Sequence, residues 1–143
     1  MVTVNLNELE LAEFTGKENA SQHCKATFPL VGAHGSKNLA TVYFEIAPGD
    51  HLGTHTDSAE ELLIILSGEA QATVGNVTKQ AVEGSLVLVP EMVPHNIKNT
   101  GNTLLKVLGV FGGANNIIAT FEKEWLPESN IVDTALLFEQ NTL

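Results

Sequence analysis

Two polar segments dominate the sequence, and each is joined to a run of strand-forming residues. The first, residues 49–68, combines two histidines and several carboxylates with five consecutive aliphatic residues. The second, residues 84–99, follows an apolar run with two prolines and a further histidine, His95. Because ionisable side chains beside buried strands are costly unless they are paired or bind a metal, we expect the two segments to share one site.

Short segments of strand-forming residues occupy most of the chain after the N-terminal region. Residues 38–46 and 77–82 are clear examples, and Gly, Pro and Asn residues typical of turns separate such segments. About ten strands at close spacing, with little helix, predict an all-β sandwich or barrel. Residues 2–6 alternate and predict one more short strand, whereas residues 133–140 fit a helix or a strand equally well.

The length of 143 residues predicts a single domain spanning residues 1–143. The single cysteine, Cys24, excludes an internal disulfide and fits a buried small hydrophobe in a reducing compartment. The N-terminus lacks the basic and apolar regions of a signal peptide, and no apolar run approaches the ~20 residues of a membrane helix. We therefore expect a cytoplasmic protein with no membrane partner.

The net charge of −10 argues against nucleic acid as a partner, because nucleic acids bind basic surfaces. The chain contains no arginine, the usual bidentate clamp for carboxylates and phosphates. An anionic ligand would need lysine, backbone N–H groups or a metal ion. The expected partner is a small molecule.

The aliphatic run at residues 62–66 does not alternate with polar residues. A strand with this pattern is usually covered on both faces. One face would line the barrel, and the other would lie under a second sheet or a second subunit. This pattern predicts a homodimer.

The first polar segment places three candidate ligands on one face if residues 51–57 are extended. His51, His55 and Asp57 then point the same way, with neighbours two apart separated by about 6.5 Å along the strand. Two such side chains can close on one ion.

Two further candidates come from beyond this segment. Glu61 follows a short bend, and His95 follows the Pro90 turn, where a neighbouring strand can direct it to the same point. Two imidazoles with one or two carboxylates form a common site for non-haem Fe(II), Mn or Ni, and also suit Zn. The alternative is a buried acidic cluster without an ion, which would cost several kcal/mol or leave one carboxyl protonated.

The two segments resemble the paired motifs of the cupin superfamily of small β-barrels. The first motif, at residues 49–68, reads G-x5-H-x-H-x3-E-x6-G, and this chain matches it with Asp57 at the second histidine position, through Gly49, His55, Glu61 and Gly68. The second motif, at residues 84–99, reads G-x5-P-x-G-x2-H-x3-N, and this chain matches it with Met92 at the second glycine position, through Gly84, Pro90, His95 and Asn99.

The resemblance implies a double-stranded β-helix, the jelly-roll barrel of cupins, with a divalent metal ion (Fe, Mn, Ni or Zn). It implies His55, Glu61 and His95 as ligands, with Asp57 at the position of a third histidine. An aspartate makes the site harder and more anionic if it binds, and His51 is the alternative fourth ligand. Met92 leaves the geometry of its turn open, because glycine normally supplies backbone freedom there.

Two classes of function follow from the resemblance. The first is a metal-dependent enzyme, dioxygenase-like or isomerase- or lyase-like, acting on an unidentified small molecule, with catalytic residues that the sequence does not assign. The second is a non-catalytic barrel that binds a small ligand or serves as a structural dimer. The fold supports both classes, so the sequence leaves the choice open.

Overall fold

The computed structural model describes residues 1–138 and consists of two six-stranded sheets with antiparallel pairing. The strands are β1 (Ala12–Thr15), β2 (His23–Thr27), β3 (Leu39–Ile46), β4 (His55–Asp57), β5 (Glu61–Ser67), β6 (Glu69–Val74), β7 (Val77–Val82), β8 (Leu86–Val89), β9 (His95–Asn99), β10 (Leu105–Gly112), β11 (Ile118–Trp125) and β12 (Ser129–Asp133). Two 3₁₀ turns, Leu6–Glu8 and Gly32–His34, and one short helix, α1 (Thr134–Leu137), complete the described elements.

The first sheet has the strand order β1-β2-β3-β10-β5-β8, and the second has the order β12-β11-β4-β9-β6-β7. Apolar side chains from both sheets form a single buried cluster between them, which includes Phe44, Leu63, Ile97 and Phe121. Non-sequential neighbours in both sheets give the crossed connections of a jelly roll. The predicted all-β jelly-roll barrel is confirmed.

The strand β5 contains the aliphatic run of residues 62–66. Its burial alternates, so that Glu61, Leu63 and Ile65 face the interior. Leu62 and Ile64 face outward and remain half-buried in the single chain. The outer face of β5 is therefore only partly covered by this chain.

The structure contradicts one expectation near the N-terminus and decides between two alternatives at residues 133–138. The predicted strand at residues 2–6 is wrong, because the Asn5 side chain accepts a hydrogen bond from the Asn7 backbone N–H and starts a 3₁₀ turn instead. At residues 133–140, the Asp133 side chain caps the Ala135 N–H, so helix α1 begins directly after β12. Residues 139 and 140 of that segment lie outside the described residues.

The assumption that residues 51–57 form one extended segment is also wrong. Gly53 has a φ of 95°, in the left-handed region that glycine adopts readily, and this bend separates His51 from the strand β4. Within the second motif, Met92 also has a left-handed backbone, with a φ of 61°. Methionine therefore adopts the turn conformation that the motif normally assigns to glycine.

A candidate metal centre

His55 and Asp57 occupy alternate positions of β4 and project from the same face into the interior. Both are almost fully buried, at 5% and 3% exposure. Antiparallel pairing with β11 on one side and β9 on the other holds this three-residue strand in the middle of the second sheet. Pairing with β9 and β11 therefore holds this short strand in place.

His95 is the register partner of His55 across β4 and β9. The two rings lie with centroids 4.1 Å apart and planes tilted by 48°. On its other side, the His55 ring stacks on Phe121, at a centroid distance of 4.5 Å and an interplanar angle of 18°. This packing fixes the plane of the His55 imidazole.

Glu61 reaches the same point from the opposite sheet, because it begins β5 after the turn that follows β4. Its side chain is 3% exposed. Gly109 on β10 lies against its carboxylate, and a Cβ there would collide with Glu61 Oε2 and approach Val42 Cγ1 to 2.7 Å. The missing side chain of Gly109 leaves the space that the carboxylate occupies.

The potential ligand atoms are spaced as they would be around one ion. Asp57 Oδ2 lies 3.0 Å from His95 Nε2 and 3.7 Å from His55 Nε2, and Glu61 Oε1 lies 3.5 Å from His95 Nε2. With metal–ligand bonds of about 2.0–2.2 Å, neighbouring ligands of an octahedral or tetrahedral ion are about 2.8–3.6 Å apart. His55, Asp57 and His95 form the compact group, and Glu61 adjoins it on the His95 side.

Backbone carbonyls determine which nitrogen of each imidazole faces the centre. His55 Nδ1 donates to Gly53 O at 2.8 Å, and His95 Nδ1 donates to Val93 O at 2.9 Å. Because a carbonyl oxygen only accepts, each Nδ1 carries a hydrogen and each neutral ring presents the Nε2 lone pair inward. Metal-binding histidines are commonly oriented by this kind of bond.

Two buried atoms of the cluster have no hydrogen-bond partner among the described residues, Asp57 Oδ2 and His95 Nε2. They lie 3.0 Å apart, but their relative orientation does not make a hydrogen bond. Unsatisfied polar atoms are costly in a protein interior, and a bound cation would satisfy both at once. The donor set of two imidazoles and two carboxylates therefore fits a divalent ion.

Without an ion, burial and the neighbouring charges shift the pKa values of three cluster residues away from their ordinary values. Burial lowers the pKa of His55 to about 4, and burial raises the pKa of Glu61 to about 7, with the Asp57 charge adding to the rise. Burial also acts to lower the pKa of His95, but the Asp57 and Glu61 carboxylates outweigh it and raise that pKa to about 10. In the absence of metal, a proton on His95 would thus partly replace the cation.

A cavity with a volume of ≈ 80 Å³ adjoins the cluster and runs between the two sheets. All four cluster residues contribute to its wall, together with Cys24 and a set of aliphatic and aromatic side chains. Burial raises the pKa of the Cys24 thiol to about 12, so the thiol stays protonated and unreactive at neutral pH. The cavity therefore leaves space for a small molecule beside the cluster.

The structure gathers the four predicted ligands His55, Asp57, Glu61 and His95 around one point, whereas the role of each as a ligand stays a prediction. His51 belongs neither to the compact group nor to the cavity lining, and its backbone bridges to Gln22 and Lys98. Sequence reasoning missed the contribution of Gly109. Its only signal was a glycine inside a predicted strand, which often marks a close approach.

The Cupin domain family model matches residues 42–111, which contain the whole cluster. Auxin-binding protein 1 from Arabidopsis thaliana is 28% identical over 105 residues, covering 67% of this chain and 53% of that protein. The chain thus spans about half the length of this curated relative.

Solved structures show the same architecture. A proposed sugar phosphate isomerase from Acidithiobacillus ferrooxidans superposes with a TM-score of 0.66 and 20% identity, covering 94% of this chain and 92% of that one. A predicted oxalate decarboxylase from Thermotoga maritima also has a TM-score of 0.66, with 24% identity and coverage of 78% and 98%. At these identities, the likeness concerns the fold alone.

The fold and the cluster define a jelly-roll barrel with an internal group of side chains able to hold a metal ion. With the family match over its two motifs, the chain belongs to the cupin superfamily. Among residues 1–138, no helix has the length and apolarity that crossing a membrane requires.

Proposed function

We propose that this protein is a metal-dependent enzyme that holds a divalent ion through His55, Asp57, Glu61 and His95 and acts on a small molecule in the adjoining cavity. The observation that carries the proposal is the convergence of the unpartnered Asp57 Oδ2 and His95 Nε2 beside that cavity. Fe, Mn, Ni and Zn all suit the donor set. The expected reactions are of the dioxygenase type or the isomerase or lyase type.

A bound ion would act as a Lewis acid toward an oxygen atom of the substrate. The chain itself orients the two imidazoles through the carbonyls of Gly53 and Val93. The apolar wall excludes water from the substrate. Burial raises the pKa of Glu61 to about 7 in the metal-free cluster, whereas a bound divalent ion would favour its ionised form and so its role as a ligand.

The test begins with the metal content of the purified protein, followed by reloading of the metal-free protein with Fe, Mn, Ni or Zn. Each form is assayed for oxygen uptake and for turnover of diketones, thiols and phenols. We expect turnover with at least one metal and none without metal. Equal turnover by the metal-free protein would contradict the proposal.

A second candidate is a barrel that binds a small ligand without chemistry. The cavity wall supports it, because the described lining contains no ionisable side chain outside the cluster except the inert Cys24 thiol. The similarity to a relative named as auxin-binding is compatible with this role. Saturable ligand binding by the metal-loaded protein, without turnover under any condition, would favour it over the enzyme.

We also propose that the protein forms a homodimer through the outer face of its first sheet. Leu86 and Leu88 on the edge strand β8 are 64% and 60% exposed, and they pair with Ile64 and Leu62 of β5. On the other side of β5, the strand β10 continues this apolar surface with two further half-buried side chains, Leu108 and Val110. Contiguous exposed apolar surface of this kind commonly marks an interaction site.

Light scattering at micromolar concentration tests the dimer. Leu88→Lys should produce monomers, whereas Val77→Lys, at an exposed position on the edge of the other sheet, should leave the dimer intact. A monomeric wild-type protein would overturn this part of the proposal.

A further inference from the structure

The cavity offers a ligand almost no hydrogen bonds from side chains away from the metal cluster. Apart from the cluster, the Cys24 thiol and the indole N–H of Trp125, the side chains that line it within residues 1–138 offer no polar group. A hydroxyl or phosphate oxygen against this wall would lose its bonds to water without replacement. Each such group would weaken binding by roughly tenfold or more.

Aromatic side chains make up much of the wall. They come from both sheets, and they are Phe14, Phe28, Phe44, Phe111, Phe121 and Trp125. Phe121 and Trp125 meet edge to face at a centroid distance of 5.3 Å, and Phe14 meets Trp125 at 6.1 Å. Surfaces of this kind favour flat apolar groups, which gain from edge and face contacts in addition to burial.

The charge of the cluster disfavours anions. Two ionised carboxylates carry two negative charges and two neutral imidazoles carry none, so a divalent ion leaves the centre with no net charge. The chain as a whole carries −10 and no arginine. An anionic head group would therefore gain no net Coulombic attraction from the centre and would meet a negative field on approach.

The size of the cavity sets a further limit. Its volume is ≈ 80 Å³, far below the roughly 300–1,000 Å³ of pockets that enclose drug-sized ligands. The cavity therefore excludes larger molecules and leaves space for no more than a single small ring against its wall.

We infer that the cavity takes a small, mostly apolar molecule with one ring and a single neutral or weakly acidic oxygen group, such as a ketone, an enol or a phenol. It selects against sugars, sugar phosphates and dicarboxylates. The oxygen group would bind the ion, and the ring would lie against the aromatic wall. This inference rests on the proposed metal site, because the cluster supplies the polar contact for the head group.

Calorimetric titration of the Zn²⁺-loaded protein tests the inference with four probes. Benzoylacetone and acetylacetone share the same weakly acidic enol head, but only benzoylacetone has a ring. Ribose 5-phosphate and oxalate represent the disfavoured classes. Benzoylacetone should bind at least about tenfold more tightly than each of the others. It should also quench the emission of Trp125, the only tryptophan of the chain, which lies in the cavity wall.

A pair of variants separates ring binding from general effects. Phe28→Ala removes a half-buried ring from the wall and should reduce the advantage of benzoylacetone over acetylacetone by at least about threefold. Phe138→Ala, which removes a ring that contacts His34 away from the cavity lining, should leave this ratio unchanged.

The outcomes distinguish the two proposals. If the protein binds one Zn²⁺ but takes ribose 5-phosphate or oxalate as tightly as benzoylacetone, or if the ring adds no affinity, the inference is wrong and the metal site stands. If metal analysis finds no bound Zn²⁺, the proposed function fails and the inference fails with it.

Discussion

Gly109 on β10 lies against the carboxylate of Glu61 on β5, and a side chain at this position would occupy the space of that carboxylate. The contact is diagonal across two paired strands, since Gly109 is the register partner of Leu63. A residue without chemistry of its own thus determines where an ionisable group of the cluster can sit.

Gly109→Ala should therefore displace Glu61 and disturb the cluster. We expect a loss of about 1–3 kcal/mol in the free energy of unfolding from overpacking, and a loss of about tenfold or more in Zn²⁺ affinity. Urea unfolding and metal titration measure the two effects. Gly112→Ala on the same strand, where a Cβ would meet nothing within 4 Å, is the matched control and should change neither.

His95→Ala should abolish stoichiometric metal binding while the chain remains folded, because the apolar core lies mainly on other residues. Elemental analysis and circular dichroism measure the two properties. His51→Ala should retain the metal, since His51 lies outside the compact group. Loss of metal in His51→Ala but not in His95→Ala would show that the assignment of ligands is wrong.

Removal of the ion should destabilise the protein. If the ion is present at about 100 times its dissociation constant, EDTA should lower the free energy of unfolding by roughly 2.7 kcal/mol. Thermal and urea unfolding with and without EDTA measure the difference. His95→Ala serves as the control, and its unfolding curve should not respond to EDTA; an EDTA-insensitive wild-type protein would count against the site.

The metal-free protein should lose stability as the pH rises from 7 to 8.5. His95 has a pKa raised from 6.5 to about 10 in the fold, so its contribution is complete below pH 6.5 and declines as the pH rises toward 10. Glu61 has a pKa raised from 4.5 to about 7, so its ionisation increasingly destabilises the fold as the pH rises to about 7. His55 has a pKa lowered from 6.5 to about 4, so a rise in pH stabilises the fold through His55, but only below pH 6.5.

Urea midpoints at pH 7 and 8.5 measure this loss. In EDTA, the midpoint should fall, whereas with saturating Zn²⁺ it should fall less, because the ion replaces the proton of His95. A midpoint in EDTA that rises over this interval would show that the metal-free cluster does not bind a proton in the way described.

Met92→Gly should leave the protein as stable or make it more stable by up to about 1.5 kcal/mol. A left-handed conformation costs a non-glycine residue about 1–2 kcal/mol, and glycine would remove this cost. The greater freedom of glycine in the unfolded chain offsets about 0.5–1 kcal/mol of that stabilisation. The backbone N–H of Met92 donates to Asp57 O at 2.9 Å, so metal affinity should be retained. Glu91→Gly, which lacks this strain to relieve, should destabilise by about 0.5–1 kcal/mol.

Local sequence patterns were sufficient to predict most strands of the barrel. The strand predicted at residues 77–82 has these bounds in the structure, because its turn signal at Gly75 is local. Strands β1 and β12 were not predicted. Both pair at an outer edge of a sheet and carry mostly exposed or half-buried residues, so they lack a strong apolar pattern.

The sequence by itself determined the fold class and the chemical types in the cluster, because strand alternation, turn residues and motif spacing are properties of neighbouring residues. Only the tertiary structure decided that Glu61 meets His55, Asp57 and His95 from the opposite sheet, that Gly53 turns His51 away, and that an aromatic wall encloses the remaining space. These features depend on contacts between strands far apart in the chain. Such contacts are fixed by the packing of two sheets, which no local pattern encodes.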